Sequence, residues 1–262
     1  MRHLFQTIPM ASNISTTEPE AIFPGEVFAQ TADFDAGIRA LLPRYDEMLE
    51  AIAHCLPPTA TRILELGCGT GEFSLKVLKR CPKAQLVALD YSPRMLTYAQ
   101  AKIKAAGKAS QVTWIEADFG DWANGDTAVE NGEQFDACVS SLAIHHLEDA
   151  MKLKLFQRIY TSLNPNGSFW NADPVLPESP AMSEVYDAAR EEWAAQQGTT
   201  LSEVRTKRGT SQPQGYSSHD RLVTLTTHLE MLTQAGFQPV AVPWKYYGLA
   251  VFGGFVSSST PD

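Results

Sequence analysis

Apolar residues fall along this chain in two rhythms, short solid runs and runs spaced at intervals of three and four. The solid runs lie at 63–66, 85–90, 111–117, 135–141 and 168–174, each ending on small or polar residues. They read as buried parallel strands. Between them come helical patterns: one after Gly71 that Pro82 stops, one from Pro93 to a Gly107 stop, and one carrying Leu155, Phe156, Ile159 and Leu163, with a turn at Asn164-Pro165-Asn166-Gly167 after it. Strands alternating with helices predict an α/β fold with a parallel sheet. Upstream, Phe34, Ile38, Leu41, Leu42, Tyr45, Met48, Leu49 and Ile52 share one helical face, which Pro43 divides into two helices. Downstream, Leu222, Leu225, Leu229 and Leu232 mark a last helix, followed by strands at 238–244 and 249–256.

The pattern divides the chain into a loose Ser/Thr/Pro-rich arm at 1–24, a helical lid at 25–58 and the main domain at 59–262. Residues 175–217 have no counterpart in a bare sheet-and-helix core and form an insertion before the last helix. Met182, Val185, Tyr186, Ala189 and Trp193 give it one helical face. A Gly/Ser/Gln-rich loop with Arg205, Lys207 and Arg208 follows, a cluster suited to an anionic substrate or simply solvated. Residues 120–134 are polar and read as a surface loop.

The first strand runs into three glycines at alternate positions, Gly67, Gly69 and Gly71, and then a helix. Strand, glycine turn and helix present backbone N–H groups and a positive helix end to a ligand. A dinucleotide site wants a third glycine where Glu72 stands, and a phosphate loop wants Lys and Ser/Thr there instead of Glu72-Phe73. An acidic residue beside the turn also repels pyrophosphate. A ligand with a cationic centre and an amino-acid end is the better match. Asp90 ends the second strand 21 residues past Gly69, where a ribose lies in a right-handed βαβ unit. Its other reading, a helix N-cap, is already filled by Ser92 before Pro93.

Composition narrows the partners. The 262 residues carry a formal net charge of −9, which disfavours a broad nucleic-acid footprint. No apolar run reaches membrane-spanning length, and the N-terminus lacks a secretory pattern. Cys55, Cys68, Cys81 and Cys138 have no metal-ligand or disulfide spacing, so neither a metal nor a disulfide framework is expected. A cytoplasmic enzyme acting on a small molecule, as a monomer or homodimer, is the expectation.

The segment Glu65-Leu66-Gly67-Cys68-Gly69-Thr70-Gly71, with Asp90, Asp118-Phe119 and Leu142-Ala143-Ile144-His145-His146-Leu147 in order, resembles the class I S-adenosyl-L-methionine (SAM) dependent methyltransferases, small-molecule type. The resemblance covers about residues 60–174 and the terminal hairpin. It implies a Rossmann-like seven-stranded, mostly parallel sheet with an antiparallel last strand and helices on both faces. It also implies SAM as cofactor, leaving as S-adenosyl-L-homocysteine. By resemblance Glu65 meets the methionine ammonium, directly or through water. Gly67, Cys68, Gly69 and Gly71 cradle that end, Asp90 takes the ribose, and Asp118 and Phe119 meet the adenine. Tyr91, Met95, Ser141 and Leu142 complete the set. Asp118 also reads as the cap of a short turn.

His145 or His146 is the candidate base for an acceptor O–H or N–H, because imidazole titrates near neutral pH; the other caps the following helix. Asp173, at the next strand end, either orients a histidine or binds substrate, or merely ends the strand. Phe34, Tyr45, Tyr186, Tyr216 and Tyr247 are further candidates to line the acceptor pocket, and Tyr246 stands beside the last. The acceptor expected is small, and aromatic or heterocyclic, as in secondary metabolism. The tail also resembles the carboxy-SAM synthases of wobble-uridine modification, but their arginine-containing segment is replaced here by Gln214-Gly215-Tyr216-Ser217-Ser218. An RNA-modifying enzyme and a non-catalytic SAM-binding partner protein are the remaining alternatives.

Overall fold

The computed structural model describes residues 21–127, 129 and 132–257. In chain order its elements are β1 (Ala21–Ile22), α1 (Phe34–Leu41), α2 (Tyr45–His54), β2 (Arg62–Leu66), α3 (Glu72–Arg80), β3 (Gln85–Asp90), α4 (Pro93–Ala105), β4 (Val112–Glu116), α5 (Phe119–Asn124) and β5 (Phe135–Ser141). There follow α6 (Asp149–Ser162), β6 (Leu163–Pro174), α7 (Pro180–Gln196), α8 (Leu201–Thr206), β7 (Thr210–Ser211), α9 (Leu225–Ala235), β8 (Val240–Tyr246) and β9 (Leu249–Phe255). Seven strands form one sheet in the order β4-β3-β2-β5-β6-β9-β8. Its pairings are parallel except those of β9, which runs antiparallel to both neighbours.

Solid apolar runs make this sheet because both of its faces are covered. Successive residues of β2 serve opposite cores: Ile63 joins Met48, Leu49, Val77 and Trp170, while Leu64 joins Trp122, Phe156 and Phe169. Local signals fix the helix ends. Ser92 Oγ accepts from the Met95 N–H with Pro93 in the first turn, a cap worth about 1 kcal/mol. β2 and β3 lie side by side, with the strand order reversing between β2 and β5, so the crevice at their carboxyl ends is the expected ligand site.

Five expectations need correction. The polar stretch 120–134 is not all loop, because α5 occupies its start, with Trp122 fully buried. Asp118 caps that helix, and three buried residues, Phe119, Trp122 and Ala123, outweigh its polar ones. The turn 164–167 lies inside β6: Leu163 pairs Phe135 and Ser168 already pairs Ala137, so the residues between bulge out, with Asn166 at φ +64. On α7, Met182 and Val185 face solvent, and Tyr186 and Ala194 make its buried contacts. The segment read as a loop contains α8, started by a capping box between Thr200 and Glu203. Finally, the end of the arm is ordered: β1 pairs in parallel with β7 in the insertion. The rest of the arm, residues 1–20, lies outside the described residues.

Candidate active site

The glycine turn joins β2 to α3 with all three glycines at positive φ, +68, +52 and +79 for Gly67, Gly69 and Gly71. Only glycine takes such values without strain. Added to Gly67, a Cβ would stand 2.4 Å from the Ala143 Cβ; added to Gly69 it would meet no atom within 4 Å. Gly67 is therefore required by packing, whereas Gly69 faces open space that a ligand can enter.

That space is a cavity of about 690 Å³ at the carboxyl ends of β2, β3 and β5. Of the expected cofactor residues, Glu65, Gly67, Cys68, Gly69, Asp90, Tyr91, Met95, Phe119, Ser141 and Leu142 line it, and Gly71 and Asp118 do not. Phe34 and Tyr45 from the two lid helices line it too. Asp90 Oδ2 accepts from the Gly69 N–H at 2.8 Å and Oδ1 from the Ser92 N–H at 2.9 Å. The carboxylate thus locks the turn to the start of α4 while facing the cavity. Asp118 is spent differently. Oδ1 accepts from the Gly120 N–H at 2.7 Å and Oδ2 from the Tyr216 N–H at 2.9 Å, so it caps α5 and holds the end of the insertion. This is the capping arrangement that its position in the sequence left open.

Glu65 is wholly buried, and its Oε2 accepts from Ser74 Oγ at 2.6 Å. Burial raises its pKa to about 8, and burial raises that of Asp90 to about 6. Two carboxyls whose charge burial disfavours stand around one cavity, and a ligand bringing a cation and hydroxyl donors would favour that charge. Glu72 lines the cavity as well, but its carboxylate is tied to the lid. It bonds Arg39 on α1 at 2.5 Å, and Lys102 bridges Glu72 and Asp35 at 2.8 and 2.5 Å. The residue that rules out a phosphate loop clamps a helix over the site.

Beyond β5, a 3-10 turn at Ile144–His146 carries both histidines, buried and with ring centroids 4.0 Å apart. His145 Nδ1 lies 2.7 Å from Asp173 Oδ1 at the end of β6. Burial lowers the affinity of His145 for a proton, but the charge and hydrogen bond of Asp173 and the charge of Asp220 outweigh it, and its pKa rises above the usual 6.5. His146 is pushed down to about 2, by burial first and then by His145, and its Nδ1 has no hydrogen-bond partner. Asp220 Oδ1 sits 3.8 Å from His145 Nε2 and 3.6 Å from His146 Nδ1. His145, His146 and Asp220 are the group that could hold a metal ion among the described residues, although no metal was expected.

A second cavity, of about 900 Å³, opens on the far side of the histidines. It shares Gly25, Phe34, Leu142 and His146 with the first. Tyr186, Tyr216 and Tyr247 line neither. Tyr186 packs edge-on to Tyr247 beside the β8–β9 turn, and Tyr216 covers Gly120. Three contributors escaped the sequence reading. Glu26, fixed by Ser92 and Arg94, roofs the first cavity together with Pro24-Gly25, a turn dipeptide that is its only trace in the pattern. Asp220 sits in a stretch without periodicity or motif, and Arg190 falls among the polar positions of α7, so nothing local marks either.

The site joins a glycine turn to a carboxylate at the next strand end, on a seven-stranded sheet with one antiparallel strand, which is the fold of the class I methyltransferases whose cofactor is SAM. Its residues fit that group. The open face of Gly69 and the buried carboxyls of Glu65 and Asp90 match an amino-acid end and a ribose. Residues 63–167 match the family model described as a methyltransferase domain. The chain is 24% identical over 228 residues to a carboxy-S-adenosyl-L-methionine synthase of Nautilia profundicola, covering 85% of this chain and 90% of that protein. It is 30% identical over 139 residues to a malonyl-[acyl-carrier protein] O-methyltransferase of Paenibacillus sp., covering 50% of this chain and 46% of the relative. An O-methyltransferase family protein from Burkholderia thailandensis shares the fold at TM-score 0.63 and 16% identity, over 88% of this chain and 60% of the other.

Proposed function

We propose that the protein transfers a methyl group from SAM to an oxygen or nitrogen atom of a small molecule lodged in the second cavity. The observation that carries this reading is the His145–Asp173 pair, whose histidine lines the second cavity next to His146, a residue that both cavities share. When bound, SAM supplies an electrophilic methyl on a sulfonium, whose departure leaves a neutral thioether. The chain's own work is alignment and removal of a proton. Asp173 accepts the Nδ1–H of His145, which leaves Nε2 as the lone-pair nitrogen. An acceptor O–H or N–H gives its proton to Nε2, the new O–C or N–C bond forms, and the imidazolium is stabilised by Asp173. Such a base contributes about 10²–10⁴-fold. Glu65 and the glycine turn hold the amino-acid end of the cofactor, Asp90 the ribose, and Phe119 the base.

Incubation with methyl-labelled SAM and a panel of hydroxylated and aminated small molecules tests the reading. Label should enter a small molecule with the wild type and not with His145→Asn, while both bind S-adenosylhomocysteine alike. Label-free products with every acceptor would overturn it. A second reading follows from the carboxy-SAM synthase relatives, which align along most of the chain. In that case the nucleoside itself would gain mass, a difference that mass spectrometry of the spent cofactor resolves. No helix among the described residues is long and apolar enough to cross a membrane. The reading takes the protein as cytoplasmic, a monomer or homodimer, with no nucleic-acid partner.

A further inference from the structure

The second cavity is built asymmetrically. One wall is apolar, from Phe34, Ile38, Leu41 and Leu42 of the lid. The same lining carries three arginines, Arg190 on α7, Arg205 on α8 and Arg208 just past it. None of the three holds a side-chain hydrogen bond or an ion pair within 4.0 Å among the described residues. The other cations of this region are committed: Lys207 pairs with Asp33, Arg221 with Glu148, and Arg39 with Asp46 and Glu72. The only carboxylate lining the same cavity is Asp220, which leans toward the histidines.

Arg190 is half-buried and Arg205 and Arg208 are exposed, so one cavity gathers three arginines without an ion pair among the described residues in a protein whose net charge is −9. Burial first, with the neighbouring Arg205 and Arg208, disfavours the charge of Arg190 and outweighs the attraction of Asp187 and Asp220. The cluster is also held in place before any ligand arrives. Trp193 Nε1 donates to the Arg39 carbonyl and ties α7 to α1, the capping box starts α8, and Arg208 is bridged to Phe28. Guanidinium groups so fixed are suited to a planar or tetrahedral oxyanion, which they grip with paired N–H donors.

We propose that the methyl acceptor is itself an anion. Its carboxylate or phosphate is received by Arg190, Arg205 and Arg208, its apolar body lies along Phe34, Ile38 and Leu41, and its nucleophilic O–H or N–H faces His145. This rests on the methyl-transfer reading and adds the charge class of the acceptor to it. A neutral molecule of the same shape leaves three guanidiniums without partners and is rejected for that reason.

The test uses the full chain loaded with S-adenosylhomocysteine, titrated by calorimetry with hydroxylated aryl carboxylates, the matching aryl phosphates and the matching neutral amides. Carboxylates or phosphates should bind and the amides should bind at least about tenfold more weakly, with the preference fading as salt is added. Whichever of the two anions binds more tightly identifies the group. Arg190→Gln and Arg205→Gln should each cost the anion about tenfold and leave S-adenosylhomocysteine affinity unchanged. Equal binding of amide and anion, no binding of any probe, or no loss in both variants would overturn the proposal. Failure of S-adenosylhomocysteine to bind the wild type would instead strike the methyl-transfer reading beneath it.

Discussion

Asp173 Oδ1 lies 2.7 Å from His145 Nδ1, and the carboxylate is wholly buried at the end of β6. β5 and β6 are paired in parallel up to Ser141 and Ala172, so the residue after Ala172 lies beside the turn that leaves β5. Asn171 Nδ2 donates to the other carboxylate oxygen at 3.1 Å. The acid is thus fixed from two sides, and with it the imidazole tautomer.

Replacing this acid with its amide should leave the geometry nearly intact and misdirect the imidazole proton. Asp173→Asn is expected to lower kcat by about 10²–10⁴-fold with little change in SAM affinity. In the wild type the rate should rise with pH through a limb lying above 6.5, because the base works only when neutral and Asp173 outweighs burial in raising its pKa. In Asp173→Asn, burial acts without its counterweight and the limb should move to lower pH. Steady-state profiles of both proteins check this, and an unmoved limb would remove Asp173 from the mechanism.

Glu65 binds its proton more tightly folded than unfolded, since its pKa rises from 4.5 to about 8. The stability it contributes is complete below pH 4.5 and is lost as pH climbs toward 8. The ligand-free protein should therefore melt at progressively lower temperature across that range, and Glu65→Gln should flatten the slope. If the cofactor's ammonium then pairs with Glu65, binding at pH 7 should release a proton. Calorimetry in buffers of different ionisation enthalpy measures that release, and its absence would argue against the pairing.

Gly67 and Gly69 make a paired contrast. Gly67→Ala adds a clash with Ala143 to the cost of a positive φ and should destabilise the fold by more than about 2 kcal/mol. Gly69→Ala meets open space and should cost only about 1–2 kcal/mol in denaturant unfolding. Its Cβ nevertheless enters the cavity, so S-adenosylhomocysteine affinity should fall in a protein that remains folded.

Trp122→Ala should cost about 3–5 kcal/mol, the penalty for emptying a fully buried aromatic site. Chemical denaturation measures it. A loss below about 1 kcal/mol would mean that α5 is dispensable to the core.

That helix also marks where the sequence stopped being legible. The central strands, α2, α3 and α4 were readable because each repeats one period for long enough to be recognised, and Ser92-Pro93 or Gly107 punctuates the ends. α5 is six residues long and buries Trp122 among glycine, aspartate and asparagine, so no period can emerge. The lining of the first cavity was readable for a related reason. Glu65, the glycines and Asp90 all sit at strand ends, where chain order and spatial order coincide. Asp118 showed its position but not its partner, because Tyr216 is 98 residues away in sequence. Asp220, Arg190 and Glu26 are brought in by cover segments whose approach depends on tertiary packing alone. Tyr186, Tyr216 and Tyr247 were chosen as aromatics near the acceptor and turned out to pack elsewhere.

The short pairing of β1 with β7 joins the two cover segments to each other. Pro24, Gly25 and Glu26 close the cofactor side, with Tyr91 donating to the Pro24 carbonyl, and the same stretch continues through Phe28 to its bridge with Arg208 on the acceptor side. A roof stitched in this way opens over both chambers together. On the methyl-transfer proposal, spent nucleoside and methylated product would leave through that one opening, and a turnover limited by it has a recognisable form. The kinetic signature is a burst of product in the first cycle followed by a slower steady state.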